Sequence, residues 1–231
     1  MASGEVVITG ASGALGSGLV RALAAGGQRV IAVDRDAERA QKAFGDITNC
    51  RTLSFDIASS SAWTNALGDS EIAGAVLVAG AWQGGKRLFE PGADAIWSTL
   101  IRANLETARA SLQALLPRMV AAKAGSIVAI ASRVAARPWE GAHAAAYAAS
   151  KAALLALVQA SAGEVLADGV RVNAVLPSTV DTPANRAAMP KSDASEWVSV
   201  ASLSGVIAFL LSDAARDISG AALPVYGRVG V

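Results

Sequence analysis

The chain has 231 residues, with 20 lysines and arginines against 19 aspartates and glutamates, and its formal net charge is +1. No basic block or acidic tail interrupts this balance, so the charge pattern argues against nucleic acid or an anionic membrane surface as a partner. The length suits one α/β domain with a large buried core.

One cysteine, Cys50, and one histidine, His143, limit the redox and metal chemistry of the chain. Cys50 cannot form an internal disulfide, and the two residues cannot build a metal site of the usual spacing. We therefore expect no resident metal and a reducing compartment, the cytoplasm, with no leader segment before the first strand. The mean hydropathy of +0.41 comes largely from alanine. No apolar tract is long and uninterrupted enough to span a bilayer, so we expect no membrane partner.

The N-terminal segment places a glycine-rich turn between two predicted strands. Glu5–Thr9 (EVVIT) and Arg29–Val33 (RVIAV) have the short, β-branched pattern of buried parallel strands. The turn at 10–16 (GASGALG) opens a helical pattern that ends at two glycines, and Asp34 directly follows the second strand. This order predicts a dinucleotide-binding unit, because a strand, a glycine-rich turn, a helix, a second strand and an acid follow one another within about thirty residues.

The chemistry of this unit rests on its backbone and one carboxylate. Glycines allow close approach of a pyrophosphate, and a helix N-terminus offers it unpaired N–H groups. Asp34 can accept hydrogen bonds from both ribose hydroxyls and would repel a 2′-phosphate, which favours NAD(H). Arg35 can accommodate that phosphate, so NADP(H) stays possible. The predicted cofactor contacts of this unit are Gly10, Ser12, Gly13, Ala14, Leu15, Gly16, Asp34 and Arg35.

The middle of the chain continues the alternation of strands and helices. Helices are predicted over 36–44, 59–67 and 94–122, and strands over 51–55, 73–79 and 126–131. Asp56 follows the third strand, where its carboxylate can lie near an adenine amino group or cap the next helix. Asn104 lies inside the long helical pattern although asparagine is a poor helix former, which suggests a specific role. The fifth strand delivers Ser132 at its C-terminal end.

Tyr147 and Lys151 lie four residues apart in the next helical pattern and would share one helix face. A free tyrosine has a pKa near ~10. A nearby cation lowers that pKa toward the range in which acid–base catalysis is efficient. Taken alone, the pair is a weak pattern that is better explained as an ordinary exposed helix pair, so the interpretation depends on its neighbours.

The C-terminal third predicts a strand at 170–176, a helix at 198–211 and a closing strand at 221–226, with a mobile substrate lid within 184–197. About seven strands alternating with helices predict one parallel sheet with helices on both faces. Ligands bind such sheets at the carboxyl ends of the strands. The glycine turn, Asp34, Ser132 and the segment 177–182 all follow predicted strands, so we expect them at one edge.

These segments together resemble the short-chain dehydrogenase/reductase family along nearly the whole chain. The turn at 9–16 (TGASGALG) is similar to the family's cofactor turn, and Tyr147 with Lys151 and an upstream Ser132 is similar to its catalytic centre. Asn104 falls at the family's fourth catalytic position. The segment 177–182 resembles the part of the family that holds the nicotinamide carboxamide.

The resemblance implies a doubly wound Rossmann-fold domain over residues 1–231 and an NAD(P)-dependent oxidoreductase that acts on a small carbonyl or alcohol substrate. Tyr147 would exchange a proton with the substrate oxygen, which Ser132 would polarise. Lys151 would lower the tyrosine pKa and bind the nicotinamide ribose, and Asn104 would position a water that returns the proton. The further cofactor contacts that it implies are Asp56, Ile57, Ala79, Gly80, Tyr147, Lys151, Pro177, Thr179 and Thr182. Members of the family are commonly homodimers or homotetramers.

The chain departs from the family pattern at Ala14, at 78–80 (VAG where Asn-Asn-Ala-Gly is usual) and at Ser178, and the loop from Ser132 to Tyr147 is longer than usual. Several segments resemble dihydropteridine reductases, which use NADH and a planar bicyclic substrate but generally lack the serine. An ordinary ketone or aldehyde reductase is therefore the main expectation and a pterin reductase the alternative. A non-catalytic NAD(P)-sensing protein is a third, which the serine, tyrosine and lysine together argue against.

Overall fold

The computed structural model describes residues 4–229, in which seven strands form one parallel sheet with helices on both faces. The spatial order is β3-β2-β1-β4-β5-β6-β9, so the chain starts in the middle of the sheet and winds outward in both directions. The strands of this sheet are β1 (Glu5–Thr9), β2 (Arg29–Asp34), β3 (Cys50–Ser54), β4 (Ile72–Leu77), β5 (Gly125–Ile130), β6 (Val170–Pro177) and β9 (Ala222–Val225). A separate parallel pair consists of β7 (Val180–Asp181) and β8 (Val198–Ser199).

The helices follow the strands in chain order. They are α1 (Ala14–Ala25), α2 (Ala37–Phe44), α3 (Ser60–Leu67), α4 (Ala93–Ile101), α5 (Thr107–Ala122), α6 (Arg133–Ala136), α7 (Ala145–Glu164), α8 (Pro183–Ala188) and α9 (Val200–Leu211). Alternate strand residues point to opposite faces. Val7 therefore joins the core beneath α3, α5 and α7, while Val6 and Ile8 join the core beneath α1, α2 and α9. Among residues 4–229 no helix combines the length and apolar character that crossing a membrane requires.

The predicted seven-stranded α/β architecture is confirmed, with strand ends that differ by one or two residues. The long helical pattern of 94–122 is continuous but contains a π-helical segment, Arg102–Glu106, between α4 and α5. The pair β7 and β8 was not predicted, because two-residue strands carry no periodicity. Residues 1–3 and 230–231 lie outside the described residues. The expectation that no leader precedes the first strand falls on residues 1–3, and both segments belong to the expected domain over 1–231.

Arg171 on β6 closes the end of α9. Its guanidinium donates to the carbonyl oxygens of Leu210 at 2.6 Å, Ser212 at 3.1 Å and Leu211 at 3.3 Å. The last carbonyls of a helix lack partners within the helix, so this side chain replaces water at a partly buried site. Arg171 thereby joins a helix on one face to the sheet.

We expect Arg171→Met to lower the free energy of unfolding by about 2 kcal/mol, because buried carbonyls lose charged donors. Urea denaturation followed by circular dichroism measures the change. The matched control is Arg216→Met, since the Arg216 side chain is 81% exposed and such surface substitutions usually change stability by less than about 0.5 kcal/mol. Equal stabilities of the two variants would contradict this role for Arg171.

Candidate active site

A cavity of about 550 Å³ opens at the carboxyl ends of β4, β5 and β6. Three of the four predicted catalytic residues, Ser132, Tyr147 and Lys151, line it together. The predicted cofactor residues in the same wall are Gly80, Pro177 and Thr179. This is the edge at which parallel α/β sheets bind ligands, and the sheet itself brings these residues together from distant parts of the sequence.

Ser132 reaches Tyr147 in spite of the longer loop between them. The extra residues are folded into α6 and a 3₁₀ turn, Pro138–Gly141, rather than left as an open loop. The turn packs tightly on α7, since a Cβ placed on Gly141 would lie 2.9 Å from the Cβ of Ala148. The Ser132 side chain thus interacts with the Tyr147 phenol by hydrogen bonding.

The pKa of Tyr147 is raised, which differs from the sequence-based expectation that Lys151 lowers it. Burial of the phenol disfavours the phenolate and outweighs the hydrogen bond with Ser132, which acts in the opposite direction. Tyr147 consequently holds its proton at neutral pH and can donate it to a developing alkoxide.

Lys151 is 6% exposed, and its Nζ donates a hydrogen bond to the carbonyl oxygen of Ile130 at 2.8 Å. Burial lowers its pKa to about 8. The ammonium group is therefore mostly charged at neutral pH and is held at the end of β5. The contact also fixes α7 relative to the strand that carries Ser132.

Asn104 lies in the π-helical segment and is fully buried. Its Oδ1 accepts from the Ala81 amide at 2.8 Å, and its Nδ2 donates to the Ala81 carbonyl at 3.0 Å and to Ser150 Oγ at 2.9 Å. Ser150 in turn donates to the Tyr147 carbonyl at 2.8 Å. The side chain therefore ties the loop after β4 to α7, and Asn104 does not line the cavity. Its predicted role in positioning water stays a prediction.

The glycine-rich turn lies beside this cavity, between β1 and α1, and two of its glycines are sterically required. Gly10 has φ +63°, and a Cβ on it would lie 2.9 Å from the Cα of Ala79. A Cβ on Gly16 would overlap the Gly10 carbonyl oxygen. The methyl group of Ala14, where the family has glycine, is exposed, so the substitution leaves the turn intact. The N-terminus of α1 has neither a capping side chain nor an acid in its first turn, which suits an anion.

Asp34, at the end of β2, lies beside this turn, and we name the turn and Asp34 together the cofactor groove. Its carboxylate accepts from the Ser12 amide at 2.9 Å and from the Asp36 amide at 3.3 Å. Partial burial alone would raise its pKa, but these hydrogen bonds outweigh burial and hold the pKa below its ordinary value. Asp34 is therefore a charged acceptor at neutral pH. Arg35 is exposed, and Arg39, which sequence reasoning missed, donates to the Ser12 carbonyl at 2.7 Å.

The described residues of this groove fit a dinucleotide. Ser12 Oγ is buried without a hydrogen bond of good geometry, and its approach to Asp34 only weakly lowers the pKa of that carboxylate. An unsatisfied hydroxyl beside a glycine cradle and an uncapped helix end is available to a phosphate oxygen. Gly13 and Leu15, also predicted contacts, lie in the same turn, partly buried.

Asp56 and Ile57 lie further along the edge, outside the cavity. One carboxylate oxygen of Asp56 accepts from the Ala58 amide at 3.0 Å, and the other pairs with Arg102 at 2.7 Å. Asp56 thus stabilises the turn before α3 but is not its N-cap, which is Ser59. Ile57 is buried, and its carbonyl accepts from Trp63.

The altered segment 78–80 is held by a residue from β1. The Thr9 hydroxyl accepts from the amides of Val78 at 3.1 Å and Ala79 at 3.2 Å. The backbone after β4 therefore keeps a fixed course without the asparagines that the family has there. Thr9 was quoted only as part of the turn motif, and its side-chain role depends on the pairing of β1 with β4.

The segment after β6 forms the opposite wall of the cavity. The Ser178 hydroxyl, where the family has glycine, donates to the Tyr226 carbonyl at 2.7 Å. Thr182 lies outside the cavity wall, and its hydroxyl caps α8 by accepting from the Asn185 amide at 3.2 Å. The predicted lid residues within 184–197 lie between β7 and β8, and Asn185, Ala188 and Met189 line the cavity. The lid is therefore anchored at both ends, and its motion remains a prediction.

Sequence reasoning missed several residues of the cavity wall. The missed residues include Arg133, Val134 and Glu140. Arg133 stands next to Ser132 in the sequence, which was the one signal for it. Glu140 reaches the wall only through the fold of the 132–147 loop. Trp82 also lines the cavity, where its ring can stack on a planar substrate.

Comparison with known proteins agrees with this geometry. The sequence profile of the short chain dehydrogenase family matches residues 5–193. A galactitol 2-dehydrogenase (L-tagatose-forming) from Cereibacter sphaeroides is 30% identical over 235 residues, covering 95% of this chain and 92% of that protein.

Solved structures give the same result for the fold. A short-chain dehydrogenase/reductase family oxidoreductase from Burkholderia thailandensis has a TM-score of 0.89 and 29% identity, covering 100% of this chain and 94% of that one. A 3-oxoacyl-[acyl-carrier protein] reductase with bound NAD from Brucella melitensis has a TM-score of 0.88 at 23% identity, covering 99% and 92%. The chain has a Rossmann fold and belongs to the short-chain dehydrogenase/reductase family of oxidoreductases.

Proposed function

We propose that this protein is an NAD(P)-dependent oxidoreductase that interconverts a small carbonyl compound and its alcohol. The observation that carries the proposal is the meeting of Ser132, Tyr147 and Lys151 in one cavity beside the glycine-rich turn. Nicotinamide, when bound, supplies or accepts the hydride. A protein that only senses NAD(P) would need the cofactor groove beside Asp34 but would not need Ser132, Tyr147 and Lys151 together in a cavity.

In the reductive direction, Tyr147 donates its phenolic proton to the substrate oxygen while negative charge develops there. Its raised pKa keeps that proton in place until the oxygen becomes basic. The Ser132 hydroxyl donates a hydrogen bond to the same oxygen and stabilises the developing alkoxide. Lys151 supplies a buried positive charge that favours the phenolate left behind. Alcohol oxidation uses the same groups in reverse.

The cofactor groove supports a preference for NAD(H). Asp34 remains ionised, and an acid at the end of this strand binds the adenosine ribose of NAD in this fold. A second negative charge from a 2′-phosphate would be repelled there. Arg35 and Arg39 lie close by and allow NADP(H) to bind less tightly.

Two further proposals concern the lid and the assembly. Residues 184–197 are proposed to close over the substrate, since Met189 and Asn185 already contact the cavity. Alanine-rich α5 and α7 suit close packing between subunits, so a homodimer or homotetramer is proposed, which light scattering would measure. Trp82 lies in the cavity wall, where its ring can stack on a planar bicyclic substrate. A quinonoid dihydropterin is therefore the second candidate substrate.

We expect Tyr147→Phe to lower kcat/KM for carbonyl reduction by about a hundredfold to ten-thousandfold, because the general acid is lost. Steady-state oxidation of NADH and NADPH is followed with ketones, aldehydes, quinones and a quinonoid dihydropterin. Cofactor affinity of the variant, measured by fluorescence titration, should stay close to wild type. Wild-type rates from Tyr147→Phe on a ketone would refute the proton-transfer role, and turnover of the pterin alone would favour the second candidate.

Replacing Lys151 should change how stability depends on pH. Its pKa falls from 10.5 in the unfolded chain to about 8 in the folded protein. Below pH 8 both states hold the proton, so the cost of burying the charge is fully present. Above it the folded protein releases the proton first, and the free energy of unfolding rises with pH.

The wild-type protein should therefore gain on the order of 2 kcal/mol of stability relative to Lys151→Met between pH 7 and pH 10. Urea denaturation at several pH values measures this difference. Lys191→Met, at an exposed lysine, serves as the matched control and should show no such trend. A flat difference between wild type and Lys151→Met would show that the folded protein does not perturb this lysine.

Asp34→Asn should weaken discrimination against NADPH. The amide keeps an acceptor for the Ser12 N–H but removes the charge that repels a 2′-phosphate. We expect the ratio of kcat/KM for NADH over NADPH to fall at least about tenfold, equivalent to about 1.4 kcal/mol. Asp46→Asn, at an exposed aspartate after α2, is the control. A wild-type preference for NADPH would overturn the assignment of Asp34.

A further inference from the structure

Charged side chains from the folded 132–147 loop line the substrate cavity beside Ser132. Arg133 and Glu140 both lie in the cavity wall. Arg133 Nε is 2.7 Å from Glu140 Oε2, and Arg137 Nη1 approaches Glu140 Oε1 at 3.5 Å. The three side chains are only 21% to 29% exposed. We name Arg133, Arg137 and Glu140 the loop cluster.

Packing holds the loop cluster in place. The guanidinium carbons of Arg133 and Arg137 lie 5.8 Å and 5.5 Å from the centre of the Tyr226 ring, on which both groups pack. Arg133 also donates to the Val229 carbonyl at 3.4 Å. Tyr226 follows β9, and its carbonyl holds Ser178 in the opposite wall of the cavity. The cluster is thus oriented by two separate parts of the fold.

The loop cluster carries a net positive charge. Among the described residues, its two guanidinium groups face one carboxylate, and the buried ammonium of Lys151 adds a further positive charge to the same cavity. The neighbouring Asp181 does not offset this charge, because both of its oxygens are paired with Arg186 at 2.6 Å and 2.8 Å. Partial burial reduces screening by water and salt, so the excess charge acts strongly on a group inside the cavity.

The position of Arg133 limits where a bound anion can lie. Arg133 directly follows Ser132, which contacts the reacting carbonyl under the proposed mechanism. Both residues line the same cavity, so an anion on Arg133 would belong to the molecule whose carbonyl contacts Ser132. Trp82, Val134 and Met189 in the same wall offer apolar contact to the carbon atoms between the two groups.

We propose that the substrates are oxo acids and the corresponding hydroxy acids, whose carboxylate binds Arg133 within the loop cluster. This assignment rests on the proposed oxidoreductase function and specifies its substrate class. Arginine suits the task because its planar guanidinium can bind a carboxylate while keeping another partner. Glu140 orients Arg133 and weakens its hold on the anion, so Arg133 and Glu140 affect specificity in opposite directions.

The test compares each acid with its neutral ester. The probes are 3-oxobutanoate, 4-oxopentanoate and 5-oxohexanoate, each with its methyl ester, so that charge changes while the carbonyl remains. Calorimetric titration with and without NAD⁺ gives the affinities, and NADH oxidation gives kcat and KM. For at least one chain length, wild type should bind the acid about tenfold more tightly than the ester, as expected for a charged partner.

The variants separate recognition from a structural role of the ion pair. Arg133→Gln should abolish the preference for the acid through KM, and Arg133→Lys should restore part of it. Glu140→Gln should increase the preference by about threefold or more, because the cavity loses its carboxylate. Arg118→Gln, at the opposite edge of the sheet, is the control and should keep the wild-type ratio. Thermal unfolding checks that each variant is folded.

The outcomes distinguish this proposal from the underlying function. Equal affinity of wild type for acid and ester at every chain length would overturn the oxo acid assignment. A decrease in activity on both probes in both Arg133→Gln and Glu140→Gln would likewise overturn it, since a purely structural ion pair predicts that result. Turnover of the esters alone would preserve the oxidoreductase function while refuting the anion site, whereas tight binding of the acids without turnover would refute the function.

Discussion

The hydrogen bond from Lys151 to the carbonyl oxygen of Ile130 is the contact on which the arrangement of the site depends. It joins α7 to the end of β5 through a buried ammonium group. Since Ser132 follows β5 and Tyr147 precedes Lys151 by one helical turn, the bond fixes the serine and the tyrosine relative to each other. A second connection, from Asn104 through Ser150, holds the loop after β4 against the same helix.

Burial dominates the electrostatics of this centre. It raises the pKa of Tyr147 and lowers that of Lys151, and in both cases the reason is that the charged form loses hydration. The two groups therefore meet at neutral pH as a neutral phenol and an ammonium ion. That protonation state suits a proton donor for a carbonyl oxygen, which is the role that the reductive direction requires.

The structure accommodates each departure from the family pattern in a different way. Ala14 faces solvent, Ser178 gains a hydrogen bond to the chain after β9, and the backbone at 78–80 is held by Thr9. The longer loop after Ser132 adds new chemistry, because it folds into α6 and a 3₁₀ turn and brings Arg133 and Glu140 into the cavity. The fold is shared with relatives, and the proposed substrate site differs through this loop.

The sequence by itself determined the order of the elements, the parallel sheet and the residues expected at its carboxyl edge, because these follow from local periodicity and from glycine-rich turns. Asp34 was identified from its place after the second strand, and the pair Tyr147 and Lys151 from its spacing along a helix. Only the tertiary structure decided the contacts of Asn104, the pairing of Asp56 with Arg102 and the place of Glu140 in the cavity wall. These depend on side chains that meet across large sequence separations, and the burial that shifts the pKa values of Tyr147 and Lys151 is likewise decided by the fold. The spacing of residues along the sequence shows neither which distant side chains meet nor how deeply they are buried.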